Sequence, residues 1–202
     1  KIDWEVLSGN PNAIHLLEKN PDKINWFKLS GNPNAIRLLE KKENFDKINW
    51  YNLSGNHNAI YLLEKNKYFD KIDWISLSGN PNAISLLENN TGKINWKWLS
   101  GNPNAIHLLE VEEKKKKNKI DWWNLSGNPS AIHLLEVEEK KKKNKIDWWN
   151  LSRNPNAIDL LKQNIGKIDW YTLSSNPSIF QLGSSNTLDI YNAILNIITT
   201  PV

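Results

Sequence analysis

The 202-residue chain contains no cysteine, no methionine and no long apolar segment. Without cysteine, neither a disulfide framework nor a thiolate metal site can form, which suits a reducing compartment. No apolar run approaches the ~20 residues that cross a bilayer, and the first residues lack the apolar stretch of a secretory signal. Because the chain has no methionine and opens on Lys1 at the start of a repeat unit, we expect it to be part of a longer product.

Signatures of catalysis are also missing from the sequence. No nucleophile stands beside a base, no paired carboxylates interrupt the repeat pattern, and no glycine loop has the phosphate-cradling spacing. The composition, 39% hydrophobic and 24% charged with a net charge of +4, is that of an ordinary folded protein. We therefore expect a non-enzymatic protein without a cofactor or a metal.

One pattern, repeated eight times, fills the chain from Lys1 to Leu182; the copy at residues 71–88 reads KIDWISLSGNPNAISLLE. Successive anchoring tryptophans are separated by 22, 24, 24, 22, 26, 26 and 22 residues. A fixed period with small insertions, all between the LLE end of one copy and the KI start of the next, is typical of a solenoid. The anchors are Trp4, Trp26, Trp50, Trp74, Trp96, Trp122, Trp148 and Trp170.

Each copy predicts two short helices. Asp3 precedes the tryptophan as an N-cap, so the first helix is expected over residues 4–8. Gly9 is expected to close it in the left-handed conformation, and Asn10 followed by proline to start the second helix, over about residues 11–18. A single tryptophan at a fixed helical phase in every copy predicts that this residue lies in the core.

The expected fold class is therefore all-α: an α-solenoid of eight two-helix repeats over residues 1–182, with a C-terminal capping helix over 183–202. The alternative is a leucine-rich-repeat-like β/α horseshoe, whose period includes 22 residues. Leu-Ser-Gly-Asn-Pro argues against it, because the segment lacks strand alternation and proline cannot donate to a ladder. Units this short cannot enclose their own apolar face, so neighbouring copies must stabilise one another.

Written as K-I-[DN]-W-x-x-L-S-x-N-P-x-A-I-x-L-L-E, the unit resembles the tandem repeats of uncharacterised proteins from mimivirus-like giant DNA viruses. The resemblance covers Lys1 to about Leu182. It implies no catalytic residues, and it implies a location in the host cytoplasm or the virion. His57 in place of proline and Arg153 in place of glycine depart from the pattern, and we expect both to affect only local turn geometry.

Two variable positions of the repeat are candidate contact surfaces for a protein partner, which could be viral, a host protein or another copy. The residue after the repeated tryptophan is aromatic in five of eight copies, and aromatic residues are enriched at interaction hot spots. Packing against the inserted connections would explain the same pattern. The residue before the Leu-Leu pair varies among polar types, as a solvent-facing row does. The candidates are Phe27, Tyr51, Trp123, Trp149 and Tyr171 in the first position, and His15, Arg37, Tyr61, His107 and His133 in the second.

We therefore expect a repeat scaffold for protein–protein interaction or viral structural assembly. Two lysine runs and a pI of 9.1 suggest an alternative, the binding of nucleic acid or another polyanion. Each run follows glutamates, and the spacing predicts i,i+4 ion pairs that would make the run a solvated extension of the second helix. The predicted pairs are Glu110–Lys114, Glu112–Lys116 and Glu113–Lys117. The candidate anion-binding residues are Lys114, Lys115, Lys116, Lys117, Lys140, Lys141, Lys142 and Lys143.

Overall fold

The computed structural model describes residues 1–115, 119–180 and 192. The chain forms two compact units, Lys1–Ala105 and Ile106–Val202, called unit 1 and unit 2 below. Every regular element among the described residues is an α-helix or a 3₁₀ helix, and none is a strand. The all-α prediction is confirmed, and the β/α horseshoe is not supported. The predicted capping helix falls outside the described part of the chain, apart from residue 192.

Helices alternate along unit 1 as the repeat predicts. The first helix of each copy packs against the first helix of the next, the successive packing of an α-solenoid. The first helices are Trp4–Gly9, Trp26–Ser30, Trp50–Gly55, Trp74–Ser78 and Trp96–Ser100, and the second helices are Ile14–Lys19, Ile36–Leu39, Ile60–Leu63 and Ile84–Glu88. Short 3₁₀ helices lie at Pro11–Ala13, Pro21–Lys23, Lys42–Lys47, Asn66–Lys71 and Thr91–Lys93.

Unit 2 continues the same alternation, with longer second helices in the two copies that carry lysine runs. Its first helices are Trp122–Ser126, Trp148–Arg153 and Trp170–Leu173, and each packs against the next. Its second helices are Ile106–Lys114, Ile132–Lys140 and Ile158–Lys162, and its 3₁₀ helices are Ile165–Lys167 and Pro177–Phe180. The second helix is therefore longer in these copies, but it ends at Lys114 and Lys140, the first lysine of each run. Lys141 is the C-cap and Lys142 has a φ of 54°, so the prediction that the run extends the helix is wrong for residues 141–143.

The helix starts follow the predicted caps. Asp3 Oδ1 accepts hydrogen bonds from the amides of Glu5 and Val6 at 3.0 and 3.1 Å, which satisfies two amides that the helix itself leaves unpaired. Asn10 Oδ1 likewise accepts from the Asn12 amide at 2.9 Å. Asn10 caps a 3₁₀ turn over Pro11–Ala13, however, and the second α-helix begins only at Ile14. The predicted start at the proline was thus three residues too early.

The role predicted for the glycine after the first helix is wrong. Gly31 and Gly79 have φ angles of −87° and −83°, in the right-handed region. The helix ends instead because the following asparagine is extended, as at Asn56 with φ −76° and ψ 114°. No left-handed residue is needed, and Arg153 therefore occupies the glycine position of its copy within the helix Trp148–Arg153.

Leucine and alanine, rather than tryptophan, form the fully buried core. Leu77 and Ala83 have no exposed surface, whereas Trp74 is half-buried. All eight repeated tryptophans are half-buried, so the prediction of a core position is correct only for part of each indole. Lysines at the start of the next copy cover the outer part of three indoles: Lys47 over Trp26 at 5.0 Å, Lys145 over Trp122 at 4.6 Å and Lys167 over Trp148 at 4.8 Å.

Buried asparagines connect each repeat to the one before it. Asn56 Nδ2 donates to the carbonyls of Ser30 and Asn32 at 3.1 and 3.0 Å, and its Oδ1 accepts from the Asn58 amide at 3.0 Å. One side chain therefore caps its own turn and pairs two buried carbonyls of the preceding copy. Asn32, Asn56, Asn80 and Asn102 in unit 1, and Asn154 and Asn176 in unit 2, make the same two inter-repeat bonds.

The buried serine of each copy forms a second connection, in the opposite direction. Ser54 Oγ donates to the Trp50 carbonyl at 2.8 Å and accepts from the Asp73 amide of the next copy at 3.0 Å. Ser8, Ser30, Ser78, Ser126 and Ser152 repeat this arrangement. The buried serine and asparagine that recur in the repeat are therefore structural.

Candidate partner-binding surface

The residue after each repeated tryptophan projects from the first helix into solvent. In unit 1, Phe27 and Tyr51 are each 52% exposed, and in unit 2, Tyr171 is 87% exposed. A large part of each of these side chains is therefore open to solvent. We call the five aromatic members the aromatic row: Phe27 and Tyr51 in unit 1, and Trp123, Trp149 and Tyr171 in unit 2. Ile75 continues the row in unit 1 with an exposed apolar side chain.

A hydrogen bond from the next repeat holds the backbone of the aromatic row in place at Phe27. Asn52 Nδ2 donates to the Phe27 carbonyl at 2.8 Å. Thr172 Oγ1 lies 3.2 Å from the Trp149 carbonyl and 2.9 Å from Asp169 Oδ1, and its one proton can serve only one of these acceptors. The Phe27 ring takes no part in the Asn52 bond, so this side chain is presented from a fixed backbone, an arrangement that reduces the entropy lost on binding.

A groove lies on the same face of unit 1, and its main wall was not predicted from the sequence. Trp98, which is 50% exposed, stands one residue beyond the usual aromatic position and lines the groove together with Tyr51. The volume of the groove is about 340 Å³. Its remaining lining consists of small or amide residues, namely Gly31, Asn52, Gly55, Ser76, Gly79 and Asn80.

The second variable position is exposed in every copy where it was proposed as a contact. Part of this row bonds to the glutamate that ends the preceding copy: the Tyr61 hydroxyl donates to Glu40 Oε1, and His133 Nε2 lies 2.6 Å from Glu110 Oε1. The contacts support repeat stacking at the surface, so this row is less free for a partner than the aromatic row. The exposed residues are His15, Arg37, Tyr61, His107 and His133.

We expect Tyr61 to ionise at a higher pH than an ordinary tyrosine. Partial desolvation of its hydroxyl, and then the hydrogen bond to Glu40, raise the pKa of Tyr61 from 10.0 to about 12. Because the folded state favours the protonated phenol, this contribution to stability is present below the ordinary pKa and is lost as the pH rises towards about 12. Phenolate absorbance, measured after rapid pH jumps to a series of final pH values, should show a step at the high-pH end of the curve. This late step should be absent from the Tyr61→Phe variant.

The Glu40→Gln variant provides the control for this titration. The amide cannot repel the phenolate as the carboxylate does, so the late step should move to lower pH while its amplitude is kept. An unchanged curve above pH ~11 in the Tyr61→Phe variant would contradict the assignment, because another tyrosine would then account for the late step.

The described lysines of the runs are partly neutralised by glutamates; of the predicted pairs, only Glu110–Lys114 has both residues within the described part of the chain. Lys115 pairs with Glu112 at 3.8 Å, three residues away, and Lys141 reaches Glu113 of the preceding copy at 3.1 Å. The hydrogen bond to Glu113 raises the pKa of Lys141. Glu110, predicted to pair with Lys114, contacts His133 instead. Lys116 and Lys117 lie outside the described residues; Lys114, Lys115, Lys140, Lys141, Lys142 and Lys143 lie within them.

Two glutamates of these extensions are buried, which the sequence did not indicate. Glu112 and Glu138 are 3% and 1% exposed. Within the runs, Lys115 lies 3.8 Å from Glu112 and Lys141 lies 3.5 Å from Glu138. The lysines that start the next copies, Lys119 and Lys145, lie 3.5 Å and 3.4 Å from the same two glutamates. Buried carboxylates of this kind require nearby cations. At least part of the lysine content of the extensions is therefore explained by charge compensation within the fold.

No cluster of three or more His, Asp or Glu side chains in residues 1–115 and 119–180 is arranged to hold a metal ion. Over the same residues, no helix has the length and apolar character needed to cross a membrane. Comparisons with protein-family models, with curated proteins and with solved structures find no match. Any proposal for function must therefore start from the exposed surfaces themselves.

Proposed function

We propose that this chain is a non-enzymatic repeat scaffold that binds a protein partner through the aromatic row. The observation that carries the proposal is the exposure of five aromatic side chains at one repeat position, including Phe27, which is 52% exposed and whose carbonyl accepts a hydrogen bond from the next repeat. Large aromatic rings supply much contact area at little cost in side-chain entropy. Aromatic residues also dominate binding energy at known interfaces.

The division between fixed and variable positions supports the same proposal. Stacking uses the buried leucine, serine and asparagine of each copy, whereas the aromatic side chains of the row form none of the inter-repeat hydrogen bonds described above. The residue in the row can therefore change from Phe27 to Ile75 to Trp123 without altering the fold. A scaffold of this design allows its contact surface to be matched to a partner.

Charge neutralisation in the extensions favours a protein partner over nucleic acid. The lysines that pair with glutamates, such as Lys115 and Lys141, contribute less positive potential than a free run would. Because the repeat resembles those of giant-virus proteins, the partner would be a viral protein, a host protein or another copy. Detection of the chain in purified particles would then indicate a role in virion assembly.

Replacement of the aromatic row by serine should reduce partner capture at least tenfold. The reason is that hot-spot side chains each contribute about 2 kcal/mol or more. The test compares quantitative crosslinking from cells that naturally make the protein, using wild type and the variant with Phe27, Tyr51, Trp123, Trp149 and Tyr171 changed to serine. Thermal unfolding should be nearly unchanged.

The matched control changes exposed apolar residues outside the row, Val111, Val137 and Ile165, to serine. This control should keep the partner. Equal capture by the row variant, or no partner that distinguishes the two variants, would contradict the proposal. Capture that depends on nucleic acid and falls steeply with salt would support the lysine-run alternative instead.

A further inference from the structure

The groove of unit 1 has the lining of a site for a planar cation. Tyr51 and Trp98 present exposed rings on its walls, and glycines from three successive repeats keep its floor open. Steric space does not require glycine at Gly55 or Gly79. A Cβ at Gly55 would lie 3.9 Å from Ser76 Cβ, and one at Gly79 would lie 3.5 Å from Trp98 Cε3, which are ordinary contact distances. What these glycines provide is the absence of a side chain that would occupy the groove.

Unit 2 shows what fills this position when the glycine is replaced. Arg153 occupies the position equivalent to Gly55, and Trp149 occupies the position equivalent to Tyr51. The Arg153 guanidinium carbon lies 5.0 Å from the centroid of the Trp149 ring, within the range of a cation–π contact. One copy of the repeat thus carries an internal guanidinium on its row aromatic, and the copy containing Tyr51 leaves the same place empty.

Two hydrogen-bond acceptors in the groove have no partner among the described residues. Asn52 uses its side-chain nitrogen on the Phe27 carbonyl, so its Oδ1 is available. The Ser76 amide is bonded to Asp73, and the Ser76 hydroxyl makes no bond within that part of the chain. Both side chains line the groove and are half-buried. Acceptors beside aromatic faces suit a guanidinium, which has five N–H donors and no acceptor.

We propose that the groove of unit 1 binds an arginine side chain of the protein partner. The guanidinium would stack on Tyr51, as Arg153 stacks on Trp149, and donate hydrogen bonds to Asn52 Oδ1 and Ser76 Oγ. The proposal rests on the proposed function and specifies the chemistry of the partner: an exposed segment that contains arginine. No groove-lining residue is acidic. Selectivity for arginine over lysine therefore comes from the planar array of guanidinium donors, in addition to the positive charge that both side chains carry.

The test uses three blocked peptides, Gly-Ser-Arg-Ser-Gly and the same sequence with lysine or citrulline in place of arginine. Citrulline keeps the planar shape of arginine and removes the charge. Titration calorimetry with the full chain should rank arginine above lysine, which lacks the planar donors, and above citrulline, which lacks the charge. The difference between arginine and citrulline should be about 3- to 30-fold, as expected from the strength of a cation–π contact. Equal affinity for arginine and either of the other two peptides, or no binding of the arginine peptide, would overturn the proposal.

The Gly55→Arg variant should block the groove by placing an internal guanidinium on Tyr51, as Arg153 does on Trp149. We expect at least a tenfold loss of affinity for the arginine peptide. The matched control, Gly127→Arg, makes the same change at the equivalent position of unit 2 and should leave the affinity unchanged. If Gly55→Arg does not fold, Trp98→Ser keeps the test decisive, because it removes one wall of the groove and should also weaken binding.

Unchanged affinity in the folded Gly55→Arg variant or in Trp98→Ser would overturn the proposal. Tighter binding of a proline-rich peptide without arginine would overturn it as well, by assigning the groove to another ligand. Trp98 and Gly55 are not part of the five-residue row variant. Partner capture that depends on the row, and is unaffected by Gly55→Arg and Trp98→Ser, would therefore reject the arginine site and retain the proposed function. Capture that survives loss of the row would reject the proposed function.

Discussion

Replacement of Asn80 by alanine is expected to lower the free energy of unfolding by about 3 kcal/mol. The variant loses two bonds from Asn80 Nδ2, to the Ser54 carbonyl at 3.0 Å and the Asn56 carbonyl at 3.2 Å. It also loses the bond that Oδ1 accepts from the Asn82 amide at 3.0 Å. Each such bond contributes about 1 kcal/mol net, and a buried carbonyl left without a donor adds to the loss. Urea unfolding of the full chain measures the change.

Asn82→Ala is the matched control for this prediction. Asn82 is exposed and makes one inter-repeat bond from its side chain, to the His57 carbonyl at 2.9 Å. Its loss should cost less than about 1 kcal/mol, because water can replace the amide at an exposed site. Similar destabilisation by the two substitutions would contradict the view that the buried asparagines dominate the connection between repeats.

The asparagine and serine connections show that helix closure and capping, the roles predicted for the Leu-Ser-Gly-Asn-Pro segment, do not describe it fully. The local part was predictable, because capping depends only on nearby residues: Asp3 and Asn10 act as caps as the sequence indicated. The bonds from Asn56 to Ser30 and Asn32 span 26 and 24 residues. They depend on the distance between neighbouring helices, which the spacing of letters within one copy does not specify.

The tryptophans show a second limit of the pattern. A fixed apolar residue indicated burial, but the indole of Trp26 is wide enough to reach from the core to the surface, where Lys47 covers it at 5.0 Å. The lysine that starts a copy, such as Lys47, therefore has a structural role, because it covers the tryptophan of the preceding copy. Its position before Ile did not indicate this role. A lysine stem and a ring edge together close the boundary between successive copies.

The candidate surface was predicted in part. Variation among aromatic residues after the tryptophan correctly indicated exposed side chains, because core positions of a repeat vary less in size. Trp98 was missed, since its position is occupied by Val6, Lys28 and Ser76 in other copies and shows no aromatic pattern. The groove itself combines side chains from several copies, so it becomes visible only when successive first helices are placed side by side.

The two sides of one helix allow the division between stacking and recognition to be tested directly. Leu77 has no exposed surface, and Leu77→Ala should lower the free energy of unfolding by about 2–5 kcal/mol through lost burial and the cavity left behind. Ile75, in the same helix, is 46% exposed. Ile75→Ser should change the free energy of unfolding by no more than about 0.5 kcal/mol.

Urea unfolding of both variants, with partner capture by the Ile75→Ser variant, completes this comparison. If the row side chains affect only the contact surface, Leu77→Ala should lower the free energy of unfolding and Ile75→Ser should leave it nearly unchanged. A similar loss of unfolding free energy in both variants would mean that the row is needed for stacking. Its exposed rings would then have a structural explanation, and the main argument for a partner at this face would fail.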